Sequence, residues 1–279
     1  MNILQDNRFQ NGLRILKRDH AENIAGKCLD LSLGQTPAVW KVAQWWASHD
    51  LTEGDSHADT AELRIADRHK CVTLDRHTGS ITLALDASAD FPHSSAAAPE
   101  KWPHLLLEQA IPSETCPLQG AKSLTVNLAF SIDHAEDLRD LEGLHAQFAW
   151  FIYICDTNPS SAGYGNFLWF GLNLFCPPHT VTASHSSQDT AGGPGNFIYS
   201  LSSADIFPDI PEEGRRITFS LDILPYVEKA LSAAQSKGFM QGTKTEDCSV
   251  IGTNIGWEVF DRWNVAVTIH HISIDRRTE

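Results

Sequence analysis

The chain has 279 residues, 42% of them hydrophobic and 20% charged, a balance that excludes a disordered, collagen-like or coiled-coil polypeptide. Its formal charge of −14 repels phosphate backbones and anionic lipid, so neither nucleic acid nor a membrane surface is expected as a partner. Residues 1–9 lack the apolar stretch of an export signal, and the longest strongly apolar run, 149–155, is far short of the roughly 20 residues a membrane helix needs, which gives a cytoplasmic expectation.

Along the chain, alternation of apolar and polar residues predicts strands at 39–46, 71–76, 80–86, 104–111, 123–133, 145–155, 166–175, 197–201, 215–221, 254–260 and 263–275. Many short strands separated by turn residues indicate a sandwich or barrel. One helix interrupts them: Ile223, Val227, Ala230, Leu231 and Ala234 form a single stripe near 223–237, with Asp222 as the expected N-cap and Gly238 past the end. Stretches 86–101 and 177–195 are expected as long loops. The second ends in Ala191-Gly-Gly-Pro-Gly-Asn196, without the Lys-Ser/Thr that a phosphate loop requires. No internal repeat and no linker divides the chain, so one domain over 1–279 is expected.

The six cysteines form no Cys-x-x-Cys pair; Cys155 and Cys176 lie in apolar segments and are expected as buried, reduced thiols. The slip in phase from Trp263, Val265, Val267 and Ile269 to Ile272 and Ile274 predicts a β-bulge near His270 and His271.

Because alternate side chains point to opposite sides of a sheet, each strand divides into two faces. In 166–175, Leu168, Phe170, Leu172 and Leu174 are core, while Phe167, Trp169, Gly171, Asn173 and Phe175 share the other face. Gly171 is expected to let a ligand approach the backbone. In 145–155 the outer set is Gln147, Phe151 and Tyr153. In 104–111, Leu105, Leu107 and Ile111 mark the core, leaving His104, Leu106 and Glu108 outside, and Gln109 falls on the core side, where it needs a buried partner. In 254–260, Asn254 and Glu258 oppose a core face of Ile255, Trp257 and Val259. Near the start, Gln44 is grouped with Trp40 and Trp46, with Trp45 opposite.

This pattern of strands resembles the jelly-roll, concanavalin A-like β-sandwiches of carbohydrate-binding modules, lectins and glycan-cleaving enzymes. The resemblance implies an all-β fold of two antiparallel sheets and a glycan ligand. The Glu-x-Asp-x-x-Glu strand of the glucanase branch is absent; around Glu108 the residues read Leu-Leu-Leu-Glu-Gln-Ala-Ile.

Three chemistries compete for the outer face. In the first, an oligosaccharide or polysaccharide stacks on Trp169, Tyr153 and Phe167 and hydrogen-bonds to Asn173, Gln147, Asn254 and His104; the bland alternative buries these aromatics under a loop or the helix. In the second, Glu108 and Glu258 act as the carboxylate pair of a glycoside hydrolase, which needs them about 5 to 5.5 Å or roughly 6.5 to 9.5 Å apart. In the third, the same face binds a protein. Asp156-Thr157-Asn158 could offer oxygen ligands to calcium, and His104, His270 and His271 nitrogens to a transition metal, but the spacings favour structural uses, so no metal and no cofactor is expected. A serine-nucleophile elbow and a dinucleotide-binding turn are both missing.

Overall fold

A computed structural model describes residues 1–18, 28–94, 102–140, 144–178, 181–188, 196–207 and 210–279. In chain order its strands are β1 (Gly12–Leu16), β2 (Cys28–Ser32), β3 (Trp40–Ala43), β4 (Asp55–Ala58), β5 (Glu62–Ala66), β6 (Lys70–Asp75), β7 (Ser80–Asp86), β8 (His104–Ala110), β9 (Ser123–Asp137), β10 (Ala146–Asp156), β11 (Phe167–Phe175), β12 (His185–Gln188), β13 (Phe197–Leu201), β14 (Arg216–Asp222), β15 (Cys248–Val259) and β16 (Trp263–Arg277). The helices are the single turn α1 (Ser203–Ile206) and the longer α2 (Leu224–Ser236).

The strands form two sheets, one ordered β12-β13-β11-β10-β15-β8-β3-β1-β2 and the other β14-β9-β16-β7-β6-β5-β4. Successive strands cross between them: β7, β9, β14 and β16 lie in the seven-stranded sheet, and β8, β10 and β15 in the nine-stranded one. The chain is therefore a jelly-roll β-sandwich. The nine-stranded sheet is not purely antiparallel, because β1 pairs parallel with β3 and β11 with β13.

Between the sheets, Phe130, Phe148, Trp150, Phe170, Trp257 and Val267 are fully buried in one continuous core. Period-two alternation is what commits these segments to strands with one face inward; in β7, Ile81, Leu83 and Leu85 are buried and the intervening residues are not. Among the core polar groups, Trp257 Nε1 has no partner among the described residues, whereas Trp150 and Gln109 are paired. Trp150 Nε1 donates to Thr253 Oγ1 at 2.7 Å, and that hydroxyl donates to the Phe151 carbonyl, also at 2.7 Å. Gln109, on the core side as expected, accepts from Gln5 N at 2.7 Å and donates to Gln5 O at 2.8 Å, which pins the N-terminal segment to β8.

Helix α2 buries Leu224, Val227, Ala230, Leu231 and Ala234 against the ends of β9, β11 and β13. Its N-cap is Ile223 rather than Asp222. The Asp222 carboxylate still accepts from Leu224 N and also from Leu124 N, so it ties the start of the helix to β9. Gly238, just past the helix, takes the left-handed conformation (φ 89°) that a side chain disfavours.

Several expectations need correction. β1, β2, β4, β5 and β12 were not predicted, and β12 falls inside the stretch expected as a loop at 177–195. β15 begins at Cys248, six residues before the predicted start. The bulge does lie between Ile269 and His271, and a second register shift precedes it at Ala266/Val267. Residues 95–101, 179–180 and 189–195 of the two expected loops lie outside the described residues. All six cysteines are unbridged, and Cys155 and Cys176, expected as buried, are partly exposed; desolvation pushes the Cys116 thiol up to about 11 and those of Cys176 and Cys248 up to about 12.

Candidate functional site

The outward face of the nine-stranded sheet presents side chains in rows that run across the strands. One row is fixed residue by residue through the register: Lys41 lies opposite Glu108, Glu108 opposite Asn254, Asn254 opposite Phe151, Phe151 opposite Gly171 and Gly171 opposite Ser200. Above it opens a cleft of about 280 Å³, with Lys41, Trp45, Glu108, Tyr153 and Trp169 among its walls.

Three aromatic rings close one side. Tyr153 meets Trp169 edge to face at 4.5 Å, and Phe167 lies 5.1 Å from Trp169 and 5.7 Å from Tyr153. Such mutual contacts hold the rings in fixed orientations. Two buried polar atoms here have no hydrogen-bond partner among the described residues, the Asn254 Oδ1 acceptor and the Trp169 Nε1 donor. Asn254 is only 2% exposed, so its unmet acceptor is a desolvation cost carried inside the sheet.

Of the residues singled out from sequence, the structure brings Glu108, Asn254, Tyr153, Trp169 and Phe167 to this region. Glu258, His104 and Gln147 assemble elsewhere on the same face. Gln147 Nε2 donates to Glu258 Oε2 at 2.8 Å, and Glu258 Oε1 lies 3.8 Å from His104 Nε2. His104 Nδ1 is 2.8 Å from the Trp102 carbonyl, a contact that requires the proton on Nδ1. The rings of Trp46, Trp102 and Trp45 pack around this histidine.

Glu108 and Glu258 stand on neighbouring strands of the same face: Glu258 is opposite His104, four residues along β8 from Glu108, a backbone offset of about 13 Å. Between them runs a row of Ala43, Leu106 and Gly256, with Trp45 packed on Ala43 and Leu106.

Gly171 also has a different purpose from the one expected. A Cβ there would meet Ser200 Oγ at 2.3 Å and the Phe151 ring at 2.7 Å, so the glycine makes room for Phe151 rather than for a ligand. Asn173 stands off the cleft, where its backbone carbonyl accepts from Thr182 Oγ1 at 3.3 Å. Gln44 is buried and structural, donating to Leu16 O and Asp50 Oδ1 and accepting from Leu51 N. Its phase is set by Trp40 and Val42, both in the core, which turns Lys41 outward; Trp46 leaves that phase through a left-handed backbone (φ 57°).

Sequence reasoning missed Lys41 and Trp45 as cleft residues. Alternation through the core positions Trp40 and Val42 was the signal for Lys41, and it was obscured by three tryptophans in seven residues. The metal alternatives disperse. His270 and His271 are on β16, in the sheet opposite His104, and Asp156 uses its oxygens on Ser161 Oγ and Asn158 N. Among the described residues no group of three side chains could hold a metal ion.

Fold and cleft together define a jelly-roll sandwich with an aromatic, amide-bearing groove on its larger sheet. No family model matches the chain, and no curated protein matches it. Among solved structures it is similar to a family 12 xyloglucanase from Bacillus licheniformis (11% identity, TM-score 0.47, covering 80% of this chain and 97% of that one). It is also similar to an endoglucanase from Rhodothermus marinus (10%, 0.40, 80% and 96%). A third is the xyloglucanase domain of a Sinorhizobium fredii type three effector in complex with cellobiose (12%, 0.42, 80% and 96%).

Proposed function

We propose that the chain is a glycan-active protein whose cleft binds an oligosaccharide or a segment of polysaccharide. The observation that carries this reading is an aromatic wall, Tyr153 and Trp169, in one cleft with the polar side chains of Lys41 and Glu108. A sugar ring offers an apolar face to the first and hydroxyl groups, both donor and acceptor, to the second.

A second reading, glycoside hydrolysis, is favoured by the position of Glu108 in the cleft wall, directly opposite Asn254. In this form Glu108 protonates or attacks at the scissile bond. The second carboxylate of this reading is Glu258, on the neighbouring strand β15 and four residues along in register.

One experiment separates the two. Ligand-observed NMR with cello-oligosaccharides and xyloglucan oligosaccharides, followed for a day, reads contact and turnover in one sample. Contact signals that disappear in Trp169→Ala, without new anomeric signals, establish binding. New anomeric signals that vanish in Glu108→Gln establish hydrolysis. Silence from a folded wild-type protein across both series overturns the glycan reading.

A further inference from the structure

Beyond the cleft, a second and larger cavity of about 540 Å³ opens where β11 begins, walled by Asn166, Phe167, Asn196, Met240 and Gln241. Phe167 links the two places, since it lines this cavity and its ring packs on Tyr153 and Trp169 of the cleft wall. Resting on the reading above, we infer that cleft and cavity are two stations of one binding surface, which takes an extended polysaccharide segment rather than a mono- or disaccharide.

The chemistry of the second station is that of a sugar site. Three amides stand among an aromatic ring and a thioether. Asn166 Nδ2 donates to Gln241 O and Thr243 Oγ1, each at 3.1 Å, and Gln241 Nε2 donates to Gln235 O at 2.8 Å. With both amide nitrogens engaged by the protein, and no protein donor reaching either amide oxygen among the described residues, the oxygens are left for ligand hydroxyls. The turn that carries this wall is held in an unusual shape. Met240 has a left-handed backbone (φ 50°), unfavourable for a residue of its size, and the conformation is held by Gln235 Nε2, which donates to Met240 O and Thr243 O.

The geometry also sets the length of the ligand. Glu108 and Phe167 are separated by three strand spacings across β15 and β10, and by four residues along β11 from Gly171, about 20 Å corner to corner. Several pyranose rings are needed to cover that distance, with the Trp169–Phe167 contact at its far end.

Isothermal titration of the whole chain with the series from cellobiose to cellohexaose tests this. Two hydrogen-bonding amides and one ring give an expected fall in Kd of about tenfold or more from the shortest to the longest member. In Asn196→Ala the same ratio is expected to shrink to under about threefold. Cellohexaose, but not cellobiose, is also expected to shift the side-chain amide NMR signals of Asn166 and Asn196 in the wild-type protein. That measurement serves if the variant fails to fold. A Kd independent of length, or shifts absent with the hexaose while it binds, overturns the two-station inference and leaves the cleft reading standing. No binding at any length removes the cleft reading, and this inference falls with it.

Discussion

Replacing Gly171 by alanine places a methyl group 2.3 Å from Ser200 Oγ and 2.7 Å from the Phe151 ring. Both neighbours are nearly buried, Ser200 at 3% and Phe151 at 9% exposure, so neither can swing into solvent. Overpacking of this kind costs about 1–3 kcal/mol, against which the loss of glycine's unfolded-state freedom returns about 0.4–1 kcal/mol. A net destabilisation of about 1–2 kcal/mol corresponds to a Tm lower by roughly 2–3 °C in a chain of this size. Calorimetry and urea unfolding at constant m-value measure it. The double variant Gly171→Ala/Ser200→Gly removes the shorter contact and is expected to recover about half the loss, the remainder belonging to Phe151. Because Phe151 lies opposite Asn254, its displacement is also expected to weaken saccharide binding in the single variant. A Tm equal to or above wild type in Gly171→Ala would show that Phe151 does not occupy the space the glycine leaves, and the packing account of this row would be wrong.

Three further outcomes follow from other parts of the molecule. Thr253→Val strands the buried Trp150 Nε1 donor and is expected to cost about 2 kcal/mol, whereas Thr253→Ser, which keeps the hydroxyl, costs less; equal Tm values for wild type and the valine variant would contradict this. His270 is held below its ordinary value of 6.5 by burial and by Arg216, with Asp133 opposing. The unfolded chain therefore takes up this proton first, and stability contributed here is lost as pH falls from about 6.5 towards the folded value; His270→Gln should flatten that part of a Tm-against-pH curve, and an unchanged slope would refute it. Alkylation of the native protein near neutral pH should modify the half-exposed Cys28 and Cys71 while sparing Cys116 and Cys248, whose thiols are buried and raised; mass mapping that finds either of the latter labelled before unfolding would contradict their burial.

How much of this was legible in the sequence depended on what each signal measures. Alternation reports burial on one side of a strand, so β7 and β13, each packed on the core, were readable to the residue. Strand β4 carries Asp55, Ser56, His57 and Ala58, all exposed, and has no apolar face to announce it; it exists because β5 offers a hydrogen-bonding edge. The same holds for β12 against β13. Faces were legible, and neighbours were not. The outward positions of Glu108, Asn254, Tyr153 and Trp169 followed from phase alone. That Glu258 stands beside Gln147 and His104, rather than beside Glu108, depends on register across β8, β15 and β10, which no local pattern encodes. Lys41 and Trp45 were hidden for a related reason, since Trp40, Trp45 and Trp46 fit no single phase until the backbone turn at Trp46 is known.

The row from Lys41 to Ser200 crosses six strands, β3, β8, β15, β10, β11 and β13, and apart from the consecutive pair β10 and β11 it joins separate stretches of chain. No hairpin contains the cleft, and no fragment can prefigure it. Contacts of such long sequence separation form late and slowly in folding, because the chain between them must first be closed into loops. Saccharide captured by this row therefore stabilises only the fully assembled sheet, and its effect on hydrogen exchange should extend across all six strands at once rather than fade with distance from the ligand.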